Sequence, residues 1–318
     1  MKLLGLRLCE HDSNISFFDG DKVHYVKTER IKNIKHHAYN NLTQWELDLE
    51  KLWGINYKDI DQIGIVFDPW IYNIPEDNKS IFPHIEYNFP YKNIPVLRID
   101  HHYAHALSDW PIYHQDINTS IIIDGFGDYD IAWTVFKNNL IIDQGLATKN
   151  GSLGIAMAQA GRILGIKGND HDLAGKLMGL QSYGKINYNF LSLLEGYNML
   201  SINKLFDINL KPYNLSLIDW ISTIHFKVSD ILVEFFSQYC SPNEIISYSG
   251  GVAQNVVWNK KLKDKFPNLI ISPHCGDEGL SLGIIEYLRR INNLPKFKSI
   301  NFPYIGHNFK KTKGFNGK

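Results

Sequence analysis

One pattern of strands and turns occurs twice in this sequence, and it restricts the fold more than any other feature. Residues 2–27 predict an apolar strand followed by two strands around the turn Asp19-Gly20-Asp21. The segment TSIIIDGFGDYDIAWTVFKNNLIIDQG, residues 119–145, repeats strand, Asp-Gly turn, strand, turn and strand. Asp-Gly turns between apolar runs are strong hairpin signals. Because each three-strand unit is joined to helical segments, the sequence predicts a duplicated α/β fold with two lobes.

The position of the second unit divides the chain. We expect an N-terminal lobe over residues 1–115 and a C-terminal lobe over residues 116–295. The last amphipathic segment, GDEGLSLGIIEYLRRI, belongs to the second lobe by position but is a candidate to pack back on the first. Residues 296–318 are polar and carry a charge run, which predicts a loosely ordered, solvated end.

Composition and charge disfavour several classes of protein. The 318 residues include 33 Lys plus Arg and 33 Asp plus Glu, so no general attraction draws the chain to nucleic acid or anionic membranes. The start, MKLLGLRLCEHD, has too short an apolar run for a signal peptide, and no run approaches the roughly 18 apolar residues of a spanning helix. Cys9, Cys240 and Cys275 are scattered without metal-ligand spacing, which is typical of a reduced compartment. We therefore expect a soluble cytoplasmic protein with no membrane partner.

Three histidines lie within five positions in the stretch IDHHYAHAL, directly after the pattern of a buried strand. If Asp100 caps a helix, His101 and His105 are one turn apart and project from the same face. Such a pair can bind iron, zinc and similar cations, together with carboxylates from elsewhere. The alternative is one capping or core histidine with the others at the surface. The position at a strand end, where α/β proteins bind ligands, supports the metal. His102 lies on another face and is expected to support the site or contact substrate.

Three turns at strand ends have the composition of phosphate-binding loops. They are residues 10–14 (EHDSN), 124–128 (DGFGD) and 249–255 (SGGVAQN). Glycine lets backbone N–H groups approach an anion, and a helix N-terminus adds a favourable dipole. Each turn alone is also a common structural turn. Their occurrence together in a duplicated fold predicts a nucleotide between two lobes, as in the ATPase superfamily of actin, sugar kinases and Hsp70.

These turns belong to a longer series of motifs. In chain order the motifs are EHDSN, TERIKNIKHH, DHHYAHA, DGFGD, SLG, GKLMGLQSYG, SGGVAQN and GDEGLSLG. Over nearly the whole chain the series resembles the carbamoyltransferases of nodulation-factor and antibiotic biosynthesis, in the domain related to the tRNA threonylcarbamoyl-transfer protein. The resemblance implies the same two-lobed ATPase-like fold. It also implies transfer of a carbamoyl group to a hydroxyl or amine from carbamoyl-adenylate, which is made from carbamoyl phosphate and ATP.

The resemblance further implies which residues hold the cofactors. The implied cofactor is a divalent metal, with iron(II) as the first candidate. Its implied ligands are His101, His105, Asp124 and Asp277. The residues expected to hold ATP or carbamoyl-adenylate are Gly125, Gly127, Ser152, Ser249, Gly250, Gly251 and Asn255. The metal and the glycine N–H groups would position the carbamoyl carbon and stabilise charge on the leaving AMP.

Four residues are the implied catalytic groups. His11 and Lys35 are expected to contact the carbamoyl oxygen or the phosphate, and Asp12 is expected to act as the base for the acceptor hydroxyl. Lys176 is expected as a second cationic contact. The alternative for each of the four is a solvated surface or turn residue.

The sequence departs from the family pattern in three places. Ala174 stands where the family has a glutamate two positions before its lysine, and Asp172 is the candidate substitute. Gln181 replaces a small residue and is expected to affect the acceptor side. Similar enzymes continue into a domain that makes carbamoyl-adenylate, and we expect this sequence to be the transfer half alone. Three hypotheses follow: a separate carbamoyl-adenylate-forming partner protein, a truncated chain, or a changed activity.

Two other functions are compatible with the sequence. One is tRNA threonylcarbamoyl transfer. The neutral charge and the DHHYAHA and GKLMGL motifs favour a small-molecule acceptor over tRNA. The other is a non-catalytic nucleotide-binding subunit, supported by the missing domain and Ala174. A metallopeptidase is disfavoured because no glutamate lies between or beside the paired histidines. The segments from Trp70 to Tyr91 and from Tyr188 to Tyr213 are predicted to serve acceptor selection or lobe packing.

Overall fold

The computed structural model describes residues 1–8, 11–39, 43–66, 89–113, 115–206 and 215–298. Its framework consists of two mixed β-sheets, one with six strands and one with five. The irregular segment from Trp70 to Tyr91 lies outside these residues except for its last short strand. The predicted loose end, residues 296–318, lies outside them from residue 299 onward.

The first sheet contains the strands β1 (Leu3–Arg7), β2 (Asn14–Phe18), β3 (Val23–Lys27), β4 (Gln62–Val66), β5 (Phe89–Tyr91) and β6 (Ile94–Arg98). Their order across the sheet is β3-β2-β1-β4-β6-β5. Strand β2 is antiparallel to β1 and β3, whereas β4 is parallel to β1 and β6. The carboxylate of Asp19 closes the β2–β3 turn by accepting the N–H groups of Asp21 and Lys22 at 2.8 Å. The Asp-Gly hairpin signal is therefore confirmed.

The second sheet contains the strands β7 (Thr119–Ile123), β8 (Ile131–Lys137), β9 (Leu140–Leu146), β10 (Ile246–Ser249) and β11 (Leu269–Ile270). Their order is β11-β10-β7-β8-β9. Strand β8 is antiparallel to β7 and β9, whereas β10 is parallel to β7 and β11. Each sheet thus has an antiparallel three-strand unit whose first strand pairs with a parallel strand from later in the chain. The predicted duplicated α/β fold is confirmed.

The helices are α1 (Thr28–Lys32), α2 (Gln44–Trp53), α3 (His101–Leu107), α4 (Trp110–Tyr113), α5 (Ala147–Asn150), α6 (Leu153–Ile163), α7 (Asp170–Leu180), α8 (Tyr188–Ser192), α9 (Leu217–Tyr239), α10 (Val256–Lys265) and α11 (Leu280–Ile291). Helix α9 begins at Ser216, whose side chain accepts the Asp219 N–H, and it buries Ile224 and Leu232 in the core of the second sheet. Phe190 and Ile202, from the segment after Tyr188, are buried in the same core. No helix in the described ranges is long and apolar enough to cross a membrane.

Helices α3 and α11 lie between the two sheets. Their apolar side chains share one core with Leu97 of the first sheet and Ile122 of the second. Although α11 comes last in the described chain, it packs on β1, β2 and β4 of the first sheet as well as on α3. Glycines permit this approach: a Cβ on Gly5 would be 2.5 Å from the Ser281 carbonyl, and one on Gly283 would collide with the backbone of α3. The loops before α3 and α11 therefore open at the same cleft.

Candidate metal centre

Helix α3 presents the paired histidines because two carboxylates fix its first turn. Asp100 accepts a backbone N–H of that turn at 2.9 Å, as the predicted N-cap. Asp128 accepts the His101 N–H at 3.1 Å and pairs with buried Arg98 at 2.7 Å. The ring centroids of His101 and His105, one turn apart, are separated by 4.9 Å.

Four side chains from three separate parts of the chain converge on one point. His101 and His105 come from α3, Asp124 follows β7, and Asp277 precedes α11. Nε2 of His105 is 3.2 Å from Asp124 Oδ2 and 3.3 Å from Asp277 Oδ1. Nε2 of His101 is 3.5 Å and 3.3 Å from the same two oxygens. One ligand atom from each residue thus lies within 4.8 Å of the other three. We call these four residues the metal cluster.

The metal cluster fits a cation. Nε2 of His101, Nε2 of His105 and Asp124 Oδ2 are buried and have no hydrogen-bond partner within the described ranges, although buried polar atoms are normally paired. Ligands held about 2.1 Å from a cation in tetrahedral or octahedral geometry are about 3.0–3.4 Å apart, which is close to the separations above. Two imidazoles and two carboxylates suit a divalent transition metal. The residues expected from the resemblance therefore form a plausible donor set.

The acidic and basic groups of the metal cluster shift one another's pKa values. Burial by itself would lower the pKa of His101, but the charge of Asp277 and the contact with Asp124 raise this pKa well above its ordinary value. Burial would raise the pKa of both carboxyls, yet the two imidazoles hold the pKa values of Asp124 and Asp277 well below their usual range. The imidazoles and the carboxyls thus favour each other's charged forms. A divalent cation would bind the imidazoles in their neutral form, because histidine ligands are neutral.

Other oxygens of Asp124 and Asp277 accept hydrogen bonds that orient these two residues. The Gly125 N–H donates to Asp124 Oδ1 at 2.7 Å. Buried Arg7 donates to Asp277 Oδ2 at 3.1 Å, and Asn14 donates to the Asp277 carbonyl at 2.8 Å. Strands β1 and β2 of the first sheet thus position a ligand that comes from the far end of the described chain.

His102 does not belong to the metal cluster. Its Nδ1 is 2.8 Å from Thr134 Oγ1 on β8, and burial together with the charge of His101 lowers the pKa of His102 to about 3. A Cβ on Gly127 would lie 2.6 Å from the His102 ring. His102 is therefore a neutral imidazole that packs the DGFGD turn against α3.

The glycine N–H groups are largely engaged within the protein. Those of Gly127 and Gly250 each donate to a backbone carbonyl at 2.7 Å, and that of Gly125 donates to Asp124. In this conformation these three N–H groups donate to acceptors within the chain, and their contact with phosphate stays a prediction. Gly251 instead lies beside the metal cluster, since an added Cβ would be 2.9 Å from Asp124 Oδ1.

The three polar residues expected at the nucleotide also have partners within the chain. Ser152 Oγ accepts a backbone N–H as the N-cap of α6 and donates to the Gly125 carbonyl. Ser249 Oγ donates to the His105 carbonyl at 3.2 Å. Asn255 caps α10 by accepting two backbone N–H groups. These residues fix the elements around the metal cluster, and their contact with a cofactor stays a prediction.

Asp12 is the centre of a second polar cluster beside the metal cluster. Its backbone φ is +53°, and its carboxylate is contacted by Lys27 Nζ at 3.0 Å, His11 Nδ1 at 2.9 Å and His36 Nδ1 at 3.0 Å. Burial would raise the pKa of Asp12, but His11, Lys27 and His36 together hold it well below its usual value. A carboxylate with three cationic or hydrogen-bonding partners is a poor base. These contacts favour a role for Asp12 in orienting the neighbouring rings, and its role as the base for the acceptor hydroxyl stays a prediction.

His11 lies between this second cluster and the metal cluster. While Nδ1 faces Asp12, Nε2 is 3.8 Å from Asp277 Oδ2. Burial acts to lower the pKa of His11, but the hydrogen bond with Asp12 and the charge of Asp277 give a net raised pKa. The ring also lies against that of His171, with centroids 4.0 Å apart. The structure thus brings His11, but not the oxygens of Asp12, to the metal cluster.

The two predicted lysines lie away from the metal cluster. Lys35 is exposed and pairs with Asp172, the candidate substitute for the glutamate missing at Ala174. Lys176 is exposed, and its Nζ donates to the Lys167 carbonyl at 2.6 Å. Both ammonium groups are held by acceptors at the rim, so the structure does not support the expectation that they contact the reacting group.

Five polar residues of these clusters were not predicted from the sequence: Arg7, Asn14, Lys27, His36 and His171. Arg7 and Asn14 are fully buried in mainly apolar strands, and a large polar residue in such a strand is the signal that could have identified them. His36 and His171 have no sequence signal that separates them from surface histidines. Only the contacts between distant parts of the chain place them at the site.

The fold defines a structural class, a duplicated α/β fold with two mixed sheets, which several solved structures share. Component A of the (R)-2-hydroxyglutaryl-CoA dehydratase of Acidaminococcus fermentans matches with a TM-score of 0.54 at 16% identity, covering 90% of this chain and 97% of that chain. The activator of the 2-hydroxyisocaproyl-CoA dehydratase from Clostridium difficile, with bound ADPNP, gives 0.53 at 14% identity, with coverages of 94% and 100%. HypF from T. kodakarensis gives 0.57 at 13% identity, with coverages of 93% and 48%. At these identities the likeness establishes the fold alone.

The family is established by sequence. Residues 85–285, more than half of the chain, match the family described as carbamoyltransferase N-terminus. The chain therefore belongs to this carbamoyltransferase family, and the resemblance is confirmed at that level. An uncharacterized protein of Methanocaldococcus jannaschii is 31% identical over 231 residues, which are 66% of this chain and 42% of that protein. The match thus spans less than half the length of this curated relative.

Proposed function

We propose that this protein transfers a carbamoyl group from carbamoyl-adenylate to a hydroxyl or amine of a small molecule, as in the nodulation-factor and antibiotic branch of the family. The observation that carries the proposal is the convergence of the metal cluster at one cleft, in a chain of a carbamoyltransferase family. The nucleotide is supported by the C. difficile activator, which has the same fold and bound ADPNP. The balanced charge favours a small acceptor over tRNA.

In this proposal His101, His105, Asp124 and Asp277 hold a divalent cation, and iron(II) is the first candidate because imidazole and carboxylate both suit it. When bound, the cation would supply Lewis-acid stabilisation of charge on the substrate. Arg7 and Gly125 keep the two carboxylates oriented toward that position. Gly251, without a side chain, leaves room for substrate beside Asp124.

The protein's own residues would manage the acceptor proton. The acceptor oxygen or nitrogen attacks the carbamoyl carbon and loses a proton, while the bond from that carbon to the phosphate oxygen breaks and AMP leaves with the electron pair. His11 Nε2 is the group placed to take the proton, because Nδ1 is held by Asp12 and Nε2 faces the cleft. Asp12 acts on the ring and not on the acceptor.

We further propose that carbamoyl-adenylate reaches the site from a separate carbamoyl-adenylate-forming protein. The match to the family described as carbamoyltransferase N-terminus, residues 85–285, includes all four residues of the metal cluster. The purified chain is therefore expected to bind metal and nucleotide but to form little AMP from carbamoyl phosphate and ATP.

The test uses the purified chain with synthetic carbamoyl-adenylate and a panel of sugar, nucleoside and amine acceptors. His101→Ala and Asp277→Asn should lose the bound metal and reduce transfer by about 100-fold or more. His24→Ala is the matched control, because His24 pairs with Asp19 at a hairpin on the first sheet and should keep metal and activity. Full transfer by a metal-free His101→Ala protein would contradict the proposal. A wild-type protein that binds metal and nucleotide but never transfers would instead be a non-catalytic subunit.

A further inference from the structure

A continuous series of side chains leads from helix α7 to the metal cluster. Asp172 Oδ1 is 3.2 Å from His36 Nε2, and His36 Nδ1 is 3.0 Å from Asp12 Oδ2. The same Asp12 oxygen is 2.9 Å from His11 Nδ1, and His11 Nε2 lies 3.8 Å from Asp277 Oδ2. Carboxylates and imidazoles therefore alternate along the whole series, which we call the relay.

The relay crosses the cleft. Asp172 belongs to α7, which packs on α6 in the second half of the molecule. His36, Asp12 and His11 belong to the first half, beside strands β2 and β3. The relay is therefore complete only while the first turn of α7 lies against the first half. The His171 ring lies against that of His11, with the two ring planes tilted by 41°, and so brings a second side chain of the same turn to this contact.

His36 is held at the middle of the relay by three acceptors. Its two ring nitrogens face the carboxylates of Asp12 and Asp172, and an ionised carboxylate only accepts hydrogen bonds. The His36 backbone N–H donates to Glu29 Oε2 at 3.2 Å. Its φ of +54° is left-handed, a conformation that persists in a non-glycine residue where surrounding contacts determine it. The orientation of the His36 ring thus depends on its partners.

Asp172 enters the relay from α7, across the cleft from His36, Asp12 and His11. Its carboxylate pairs with Lys35 and with His36 across the cleft, and these hydrogen bonds lower the pKa of Asp172. Without it, His36 Nε2 would face water and the ring would lose one of the two contacts that fix its plane. The Asp12 oxygen would then contact a His36 ring whose orientation is less well defined.

We propose that Asp172 is a positioning residue of the transfer site, which orients His11 through His36 and Asp12. The role of His11 rests on the proposed function, whereas the relay is a property of the chain itself. Asp172 does not touch the reacting atoms. It keeps Asp12 oriented so that one carboxylate oxygen contacts the imidazoles of both His11 and His36. In this arrangement His11 Nε2 faces the acceptor.

The test compares Asp172→Asn with Asp170→Asn. Asp170 lies in the same turn of α7, but its carboxylate pairs with Arg162 at the exposed side, so it is a matched control. Asp172→Glu keeps the carboxylate and tests for rescue. Each full-length protein is labelled with ¹⁵N at the histidine rings and loaded with zinc, and two-bond ¹H–¹⁵N spectra report the protonation of each ring nitrogen. AMP release from synthetic carbamoyl-adenylate, with water as the acceptor, is measured on the same samples.

We expect wild type and Asp170→Asn to show a hydrogen-bonded proton on His36 Nε2 and a proton on His11 Nδ1. In Asp172→Asn the His36 Nε2 proton should be lost to exchange, and AMP release should fall about 10-fold in kcat with unchanged metal content. Asp172→Glu should recover part of both. Unchanged His36 signals and unchanged kcat in Asp172→Asn would overturn the inference. Absence of AMP release by metal-loaded wild type would defeat the proposed function, and the spectra would still decide whether the relay exists.

Discussion

Asn14 links the two polar clusters at the scale of a single side chain. Its Nδ2 donates to the Asp12 carbonyl at 2.7 Å and the Asp277 carbonyl at 2.8 Å, and its Oδ1 accepts the Ser281 N–H at 2.9 Å. The side chain is fully buried. One amide thus holds the residue that orients His11, the loop that supplies a metal ligand and the start of α11 in a fixed relation.

Replacing this amide should affect both stability and metal affinity. Asn14→Leu removes the hydrogen bonds to the Asp12 carbonyl and the Ser281 N–H, and it leaves the Asp277 carbonyl with the Leu280 N–H as donor. The free energy of unfolding should therefore fall by about 2–3 kcal/mol, and metal affinity by about 10-fold or more. Urea unfolding and titration calorimetry with iron(II) or zinc measure the two effects. Asn268→Ala, which removes an exposed hydrogen bond to the Asn243 carbonyl, should leave both nearly unchanged. Equal behaviour of the two variants would contradict the role of Asn14.

The residues of the site were predictable to different degrees. The spacing of His101 and His105 indicates a shared helical face from local geometry alone. Asp124 and Asp277 are far apart in sequence, and only the family resemblance pointed to them as ligands. Two of the three partners that hold the Asp12 carboxylate, Lys27 and His36, were not predictable because they come from a separate strand and a separate turn. No local pattern specifies such contacts.

At the scale of elements, α3 and α11 determine where the ligands lie. A Cβ on Gly283 of α11 would collide with the Ala104 carbonyl of α3, and Ala104 lies between the two histidine ligands. The 276–291 pattern predicted a helix that could pack back on the first lobe, and α11 does lie on the first sheet. The strands and hairpins follow from alternation and turn residues, whereas the contact of α11 with α3 depends on long-range packing.

Gly283→Ala should therefore push α11 and α3 apart. We expect a loss of about 1–3 kcal/mol in the free energy of unfolding and a weaker metal site, because α3 carries two ligands. Gly179→Ala is the matched control: Gly179 is an exposed helical glycine of α7 with nothing near the added Cβ, and alanine there should stabilise by about 0.5–1 kcal/mol. Thermal unfolding with and without metal measures both. A neutral Gly283→Ala would show that the helices do not pack as described.

The β2–β3 hairpin should show a pH-dependent contribution from Asp19. Burial would raise its pKa, but the hydrogen bonds from His24 and from the Lys22 and Asp21 N–H groups lower it to about 2. A lowered pKa in the folded state stabilises the protein above the ordinary pKa of 3.8 and loses this effect as pH falls through about 2. Because the side chain is about one-third exposed, the effect should stay below about 1 kcal/mol.

Asp19→Asn keeps the turn oxygen and removes the charge. Its free energy of unfolding should be lower than that of wild type at pH 7, and the difference should shrink as the pH falls toward 2. Urea unfolding at pH 7, 4 and 2.5 measures this difference. A difference that grows at low pH would show that the Asp19 carboxylate is not stabilised in the folded protein.

At the scale of the whole molecule, two copies of one strand topology face each other across α3 and α11. The recurrence of strand, Asp-Gly turn and strand was sufficient to predict this duplication. It did not indicate which turns keep free N–H groups, because the carbonyl partners of Gly127 and Gly250 depend on the folded loops. Ligands from both halves of the molecule meet at the cleft. Because the relay runs through Asp172, it is complete only where α7 contacts the first half.

The most direct test of the central claim is anomalous diffraction from crystals of the iron-loaded protein, collected on both sides of the iron edge. The account predicts one iron per chain, about 2.0–2.2 Å from Nε2 of both ligand histidines and from one oxygen of each ligand aspartate. Fully loaded crystals with no anomalous peak between His101, His105, Asp124 and Asp277, or with the ion bound at other residues, would contradict it.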